Sequence, residues 1–443
     1  MNKTGLIFFP AFDWAISPTH PEREERLLYT RDQIFEEGIL DNPRITEYKP
    51  RLADLEDIER VHFCVPDVVS QTTNAHLISV GSALKLGDAL KNGEIKNGFA
   101  MVRPPGHHAM RVVHGNRGFC NINNEAILVE YLRSKYGIRR IAIVDTDVHH
   151  GDGTQDIFYH DPDILFISMH QDGRTIFPGT GFVDEAGGPG AYLKTINIPL
   201  PTGMTDDGFL KVWREIIKPA LDIFQPELII NSAGQDNHFT DPLANMKVTA
   251  NGYAKLTEEL KPDLAVLEGG YAVETALPYV NLAILLALAG EDYSCVIEPQ
   301  RHKADLRQAR DVSLTIDKLI AYWQDRLNQA TPDKESLFGK DRRYKRQRSI
   351  FYDTDHILEK QLETVEYCPD CLGLYQVSSS APRELGKGYS IRGISIPLYA
   401  CNSCQERAYE YWERIKVNNI RKVEYDVLYL QDKKNNRYLK ESR

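Results

Sequence analysis

Residues 145–153 read DTDVHHGDG and directly follow the apolar run IAIV. Asp147 and His149 stand two positions apart, so on extended backbone they offer a carboxylate oxygen and an imidazole nitrogen to one metal ion. A third ligand, Asp236, comes from NSAGQD at the end of a later apolar run. Two carboxylates, one imidazole and an open position suit zinc acting as a Lewis acid. The alternative is a polar strand end that only caps the following helix.

Two adjacent histidines and a tyrosine supply further candidate groups. His107 and His108 in RPPGHHA follow Pro-Pro-Gly, a rigid turn that could hold both rings beside a metal. Each imidazole would need a carboxylate to orient it, and Asp145 and Asp152 lie in the same segment as the metal ligands. Tyr271 follows two glycines in LEGGY, where its hydroxyl could stabilise an oxyanion. Taken singly, HH and GGY are weak evidence for catalysis, and a structural role is favoured for each.

Short apolar runs alternate with amphipathic stretches between residues 140 and 270. The runs are IAIV (141–144), ILFISM (164–169), ELIINSAG (227–234) and DLAVLEGG (263–270). Apolar strands separated by helices predict a parallel sheet covered on both faces. Each run ends in a polar or Gly-rich turn, and open α/β sheets bind ligands beyond the carboxyl ends of their strands. The polar residues are therefore expected to converge on one site, which favours the metal over the helix cap.

The C-terminal third carries two C-x-x-C pairs, CPDC and CNSC. Paired knuckles of this spacing, in a chain without a recognisable secretion signal, predict a closed structural zinc site rather than disulfides. The expected ligands are Cys368, Cys371, Cys401 and Cys404. The apolar segment between the pairs predicts that this module is small and rich in β-structure.

The sequence predicts three regions. Residues 1–297 would form the catalytic α/β domain, 298–365 a helical and charged linker, and 366–443 the four-cysteine module. Within the linker, 304–328 has the pattern of an amphipathic helix and 333–349 is highly charged.

Charge is distributed unevenly along the chain. Residues 1–300 carry 26 Lys and Arg against 42 Asp and Glu, a net of −16, and the remainder carries 27 against 21, a net of +6. The acidic part would attract cationic substrates. The basic run RRYKRQR could contact nucleic-acid phosphates, although a solvated linker is favoured. No apolar run approaches the roughly 18 residues of a membrane span, so a cytoplasmic protein is expected.

These motifs together resemble the histone deacetylase family of the arginase–deacetylase fold. HPEREERL at 20–27 resembles the family's N-terminal signature. The other motifs occur in the family's order: RPPGHHA, GFCNINN, DTDVHHGDG, FPGTG, NSAGQD and LEGGY. The resemblance covers about residues 1–295. The HH pair and the terminal GGY fit deacetylases better than arginases, which use two manganese ions.

The resemblance implies a role for each matching residue. His108 with Asp152 would be the general base that activates water and then protonates the leaving amine. His107 with Asp145 would assist electrostatically, and Tyr271 with the metal would polarise the amide carbonyl.

The resemblance also implies the ligands and the walls of the site. The catalytic zinc would be held by Asp147, His149 and Asp236. The substrate tunnel would be walled by Phe119 and Phe177, with Gly118 as a backbone contact. A potassium ion would take the Asp145 carboxylate, the Ser168 hydroxyl and the carbonyls of Asp147, His149 and Met169.

The substrate is the least determined point. Deacetylases of proteins and of polyamines share the catalytic residues, so residues at the mouth of the active site must determine which substrate is preferred. Leu243 stands where a polyamine-selective member has a gatekeeping Glu, which disfavours polyamine selectivity by that device. Arg111 and Arg117 could narrow the mouth or bind a polar substrate, but a solvated loop is favoured.

The leading prediction is a zinc-dependent amidohydrolase that removes acetyl or other short acyl groups from the ε-amine of lysine in proteins. One alternative is an amidohydrolase of acetylpolyamines or other small acylated amines. From another class, the chain could be an acyl-lysine-binding scaffold whose zinc ribbon binds nucleic acid or protein. Oligomerisation through the C-terminal module also stays open.

Overall fold

The computed structural model describes residues 3–329, 332–382, 388–421 and 425–442. Its strands are β1 (Thr4–Phe9), β2 (Ile45–Glu47), β3 (Phe63–Cys64), β4 (Asn97–Val102), β5 (Val112–Val113), β6 (Ile141–Asp145), β7 (Ile164–Gln171), β8 (Thr195–Leu200), β9 (Leu228–Ala233), β10 (Leu264–Leu267), β11 (Arg343–Tyr352), β12 (Ile357–Glu366), β13 (Leu374–Ala381), β14 (Tyr389–Ile396), β15 (Val427–Asp432) and β16 (Arg437–Ser442). Its α-helices are α1 (Leu28–Glu36), α2 (Leu55–Glu59), α3 (Val68–Gln71), α4 (Asn74–Lys91), α5 (Asn124–Tyr136), α6 (Asp152–Phe158), α7 (Asp206–Val212), α8 (Lys218–Phe224), α9 (Ala250–Leu260), α10 (Leu277–Ala289), α11 (Arg310–Asn328) and α12 (Asn402–Arg421).

Eight strands form one parallel sheet in the order β2-β1-β4-β10-β9-β6-β7-β8. Strands β6 and β7 are buried along their whole length, as their continuous apolar sequences require. Separate apolar cores fill the two faces of the sheet, and helices cover both. The predicted α/β class and the parallel sheet are confirmed.

Helix ends in this sheet follow from local sequence. The Asn123 side chain accepts a hydrogen bond from the Ala126 amide at the start of α5, and Gly137 ends that helix in the left-handed conformation. The Thr249 hydroxyl accepts a hydrogen bond from the Gly252 amide at the start of α9. Such caps fix where each helix begins, and therefore which strand end stays open above the sheet.

The second sheet is a separate β-rich unit, as predicted, but it is larger than a zinc ribbon. Its order is β11-β12-β13-β14-β15-β16, antiparallel except for the parallel pair β14–β15. Helix α12 packs on this sheet through Trp412 and Ala408. The unit therefore has an apolar core of its own.

The prediction of a linker over 298–365 is wrong in two places. Residues 343–365 form β11 and most of β12, because the sequence from Arg343 alternates with period two. Its exposed residues are Arg343, Lys345 and Gln347, and its partly buried residues, turned toward the catalytic body, are Tyr344, Arg346 and Arg348. Helix α11 packs into the core of the catalytic body, where Trp323 is fully buried and its indole N–H donates to the Asn197 carbonyl over 3.2 Å. The catalytic body therefore extends beyond the expected boundary at residue 297.

No helix in the described ranges has both the length and the apolar character needed to cross a membrane.

Candidate active site

The three predicted metal ligands meet at the carboxyl ends of β6 and β9. The Nδ1 atom of His149 lies 3.1 Å from Oδ1 of Asp147 and 3.1 Å from Oδ2 of Asp236. All three ligand atoms fall within 4.8 Å of one another. Both carboxylates are fully buried. The carboxyl ends of these two parallel strands thus place two carboxylates and an imidazole around one central point.

Backbone amides orient both carboxylates. The Gly269 amide donates to Oδ2 of Asp147 over 2.7 Å, and the Val148 amide donates to Oδ1 of Asp236 over 2.8 Å. Oδ2 of Asp236 therefore faces the central point, as does Oδ1 of Asp147, which also accepts from the His149 amide over 2.8 Å. Anchoring of this kind is typical of ligands to a catalytic metal.

Electrostatics favour a cation at this point. Burial and the neighbouring Asp147 raise the pKa of Asp236 to about 7. Burial lowers the pKa of His149, but its hydrogen bonds to Asp147 and Asp236 outweigh this and raise it to about 10. Two carboxylates this close are costly without a positive charge. The donor set of two carboxylates and an imidazole fits Zn²⁺.

The two histidines each meet a carboxylate. Nδ1 of His108 lies 2.7 Å from Oδ1 of Asp152, and Nδ1 of His107 lies 3.1 Å from Oδ2 of Asp145. Burial lowers the pKa of His107, but Asp147 and Asp145 raise it well above its ordinary value. Burial and the charge of His107 lower the pKa of His108 to about 3. The two rings are driven to opposite protonation states, so His108 is the neutral one and can accept a proton.

Aromatic rings line the space next to His108. The Phe177 ring meets the His108 ring edge-on at 5.1 Å, and the Phe119 ring meets Tyr271 edge-on at 5.4 Å. Gly118, with φ of +50°, stands between them, and a Cβ there would lie 2.4 Å from the His108 ring and 2.7 Å from the Phe177 ring. Gly118 therefore packs directly against both rings, with a positive φ and a close approach that favour glycine.

Comparison with known proteins agrees with this site. The family model described as "Histone deacetylase domain" matches residues 66–287. A probable deacetylase of Archaeoglobus fulgidus is 45% identical over 331 residues, which covers 68% of this chain and 91% of the relative. The chain belongs to the histone deacetylase family. It is accordingly a hydrolytic deacetylase.

Further relatives agree with that assignment. A probable deacetylase of Methanothermobacter thermautotrophicus is 41% identical over 315 residues, covering 65% of this chain and 91% of the relative. The crystal structure of the HDA15 HD domain superposes with a TM-score of 0.62 at 26% identity, covering 75% of this chain and 99% of that one.

The N-terminal motif HPEREERL of this deacetylase supports the turn that carries Tyr271. Arg26 donates through Nε to the Gly270 carbonyl over 2.8 Å, also donates to the Glu268 carbonyl, and lies 5.1 Å from the Tyr271 ring centre. Glu22 joins Arg26 to Arg103, with contacts of 2.7 and 2.6 Å, and all three side chains are fully buried. The sequence reading missed the roles of these residues, although the mixed charges of HPEREERL were a signal that some of them are paired.

Glu268 is a second supporting residue that the sequence reading missed. One oxygen of its carboxylate accepts hydrogen bonds from the amides of Gly106 and His107, over 2.8 and 2.9 Å. The carboxylate thereby fixes the turn that presents the two histidines. Its place in LEGGY, directly before the glycines of a strand end, was the available signal.

We expect Arg26→Met to lower the free energy of unfolding by about 3–5 kcal/mol, because it leaves the buried Glu22 carboxylate with one partner fewer. Denaturant unfolding measures this loss. The matched control is Arg31→Met, because Arg31 also contacts a Glu (Glu47, 2.6 Å) but is about one-third exposed. An exposed pair should cost at most about 1 kcal/mol. Equal losses in the two variants would contradict the role of Arg26.

The expectation that two arginines lie on a solvated loop is wrong. Arg111 and Arg117 do not lie on a solvated loop: both are buried against the second sheet. Arg111 donates to the Ile157 carbonyl and lies 4.5 Å from the Tyr375 ring centre. The two side chains pack at the contact of the two sheets, which the sequence could not reveal.

The remaining predicted residues lie close to the site. Ser168 pairs with Asp145 across β6 and β7, and its hydroxyl contacts Nδ1 of His170 at 2.9 Å. Met169 follows it in the core. Leu243 is half-buried, and its amide donates to Asp241, which also accepts from the Tyr271 amide.

The four predicted cysteines also converge. Their sulfur atoms lie within 4.8 Å of one another, and the Cys368 and Cys401 sulfurs are 3.7 Å apart. A tetrahedral zinc site with Zn–S of about 2.3 Å has S–S edges of about 3.8 Å. Lys334 donates to the carbonyls of Cys368 and Cys371, over 2.8 and 2.6 Å. The cluster fits a closed structural Zn²⁺ site that joins the end of β12 to the start of α12.

Proposed function

We propose that this deacetylase removes acetyl or other short acyl groups from the ε-amine of lysine in proteins. The observation that carries the proposal is the pair of aromatic rings at the site, Phe177 edge-on to His108 at 5.1 Å and Phe119 edge-on to Tyr271 at 5.4 Å, which would wall a narrow slot leading to the three candidate zinc ligands. A slot walled by two rings suits a straight alkyl chain that carries an amide at its end.

Asp147, His149 and Asp236 would hold the zinc ion, which would supply Lewis-acid chemistry at the scissile carbonyl. His108 keeps its proton on Nδ1, which donates to Asp152, so its Nε2 is free to take a proton from the attacking water. The same imidazole then returns that proton to the leaving amine.

Two further residues stabilise charge. Burial raises the pKa of Tyr271 well above its ordinary value, so the phenol keeps its proton and can donate to the oxyanion. The charged His107 ring, held by Asp145, adds positive potential behind His108.

A potassium ion is a further proposal for the space under the zinc site. Asp145 and Ser168 are adjacent across the sheet and would offer side-chain oxygens, and Asp147, His149 and Met169 would offer carbonyls. An oxygen set of this kind suits a hard cation.

We also propose a cytoplasmic location. Nucleic-acid binding by the C-terminal sheet stays a prediction, with only half of the basic run facing solvent.

Hydrolysis of acetylpolyamines is the second candidate, and one observation favours it. Asp353, from the turn between β11 and β12, accepts a hydrogen bond from the Gly118 amide over 2.8 Å and acts electrostatically on His20. Since His20 meets the Phe119 ring at 4.2 Å, a carboxylate lies near the slot. It could bind the distal ammonium of a polyamine.

Initial rates on an acetyl-lysine peptide and on acetylated polyamines test the proposal. We expect a higher kcat/KM on the peptide, and a fall of about 10²- to 10⁴-fold in His108→Ala, which keeps the zinc ligands but lacks the base. A higher value on the polyamine would favour the second candidate. Turnover unchanged in His108→Ala would contradict the mechanism for either substrate.

A further inference from the structure

The turn between β11 and β12 reaches into the loop that carries the slot. The Gly118 amide donates to Asp353 over 2.8 Å, and the Asn116 amide donates to Asp355 over 2.7 Å. The Thr354 hydroxyl donates to the Asn116 side chain over 3.1 Å. The second sheet therefore forms part of the wall of the active site, and its contacts involve both main chain and side chains.

Arg117 lies at the centre of this contact. Its Nη1 donates to the Phe351 carbonyl of β11, and its Nη2 and Nε donate to Oδ2 of Asp152 over 2.5 and 3.1 Å. The side chain is only 8% exposed, and its guanidinium lies 5.1 Å from the Phe177 ring centre. One planar group thus touches the second sheet, the slot wall and the partner of His108.

The two oxygens of Asp152 have divided tasks. Oδ1 faces Nδ1 of His108, and Oδ2 accepts both hydrogen bonds from Arg117. Burial raises the pKa of Asp152, but Arg117 and then His108 lower it, so that the carboxyl stays ionised. Without Arg117, Oδ2 would be a buried acceptor without a donor, and the carboxylate would gain by turning away from His108.

We propose that Arg117 is a positioning residue for catalysis, through which the second sheet holds Asp152, and thereby His108, in the orientation that general-base catalysis needs. The inference rests on the proposed function, because it assigns the base to His108. A guanidinium suits this task since its fork donates in two directions from one rigid plane. The second sheet then has a positioning role in catalysis besides any partner it binds.

Arg111 is the natural control for this role. It lies six residues earlier on the same segment, is equally buried, donates to a carbonyl and stacks on an aromatic ring. Among the contacts of its side chain in the described structure, none joins it to Asp152. If Arg117 only stabilised the contact between the two sheets, replacing Arg117 and replacing Arg111 would have the same effect on turnover.

The experiment compares Arg117→Met with Arg111→Met in the zinc-loaded full chain, using the acetyl-lysine peptide. We expect kcat to fall roughly 10- to 100-fold in Arg117→Met, with KM within about threefold of wild type. In Arg111→Met we expect kcat to stay within about threefold, even where its melting temperature falls. A kcat within about threefold of wild type in Arg117→Met, or equal losses in both variants, would overturn the proposal.

A second measurement separates this inference from the proposed function. The Nδ1 proton of His108, donated to Asp152, should give a downfield proton resonance in ¹⁵N-histidine-labelled protein, without any substrate. We expect this signal to move or broaden in Arg117→Met and to persist in Arg111→Met. An unchanged signal in Arg117→Met would overturn the positioning role even if wild type turned over none of the substrates tried.

Discussion

Asp236→Asn is expected to lose more than about 10⁴-fold of the amidohydrolase activity and one of the two zinc ions that we expect the wild-type chain to bind. The substitution is nearly isosteric, and Asn can still accept from the Val148 amide through its side-chain oxygen. What it removes is one of two buried negative charges around the proposed zinc. The loss should therefore come from the metal and not from misfolding.

Zinc analysis by mass spectrometry after dialysis, together with peptide turnover, checks this prediction. The wild type should hold two equivalents of zinc and Asp236→Asn one, which is the equivalent of the four-cysteine site. The melting temperature of the metal-free variant should stay close to that of metal-free wild type, because the lost attraction between Asp236 and the His149 imidazolium is offset by relief of the repulsion from Asp147 and of the burial of a carboxylate. Two zinc ions with full activity in the variant would contradict the ligand assignment.

The sequence predicted this part of the molecule well because its determinants are local. Strands β6 and β9 are recognisable as continuous apolar runs, and Asp147 and Asp236 come at or just beyond their ends. In a parallel sheet every carboxyl end faces the same edge, so polar residues at those ends must converge. Neither the strands nor their ends depended on contacts between distant parts of the chain.

The supporting residues could not be predicted in this way. Arg26 meets the Gly270 carbonyl across 244 positions of sequence, and Arg117 meets the Phe351 carbonyl across 234. No local pattern distinguishes a buried arginine that bridges two distant segments from one on a solvated loop. Buried arginines at such places are held by partners that only the fold supplies.

The basic run of β11 shows a different limit of sequence reading. Its composition is that of a solvated linker, but its alternation is that of a strand whose inner face carries charge. Arg348 of this strand contacts Asp156 of α6 and Glu363 of β12, where a buried ion pair replaces the usual apolar contact. Composition was therefore the wrong guide, since the inner face of β11 carries charged side chains that pair with the catalytic body.

That polar contact links the two zinc sites physically. Helix α6 begins at Asp152 and is held at Asp156 by Arg348, so β11 fixes the helix that carries the partner of His108. The four-cysteine site lies at the other end of β12, about 30 Å from the turn at 353–356 if the strand is fully extended. The turn that touches the active site and the cysteine site that stabilises the C-terminal unit therefore lie at opposite ends of β12.

Cys404→Ser is expected to remove the second zinc ion and to lower the free energy of unfolding of the C-terminal unit by about 4 kcal/mol or more. Three thiolates hold zinc much less tightly than four, and Cys404 stands at the start of α12, whose Trp412 fills the core of this unit. Loss of the metal therefore loosens the whole helix. The matched control is Cys295→Ser, because Cys295 is exposed and distant in sequence from both pairs.

The effect on turnover decides whether the two zinc sites are independent. The turn at 353–356 is anchored by a separate apolar cluster that includes Met110, Ile350 and Tyr352, and this cluster does not depend on the cysteines. Cys404→Ser should therefore keep kcat within about threefold at 25 °C, while denaturant unfolding and zinc content show the losses above. A kcat that fell in Cys404→Ser as far as its zinc content did, with kcat unchanged in Cys295→Ser, would contradict this independence. It would mean that loss of the structural zinc disturbs Arg117 and Asp152 through β12. An unchanged unfolding curve with one zinc lost would instead show that the metal does not stabilise this unit.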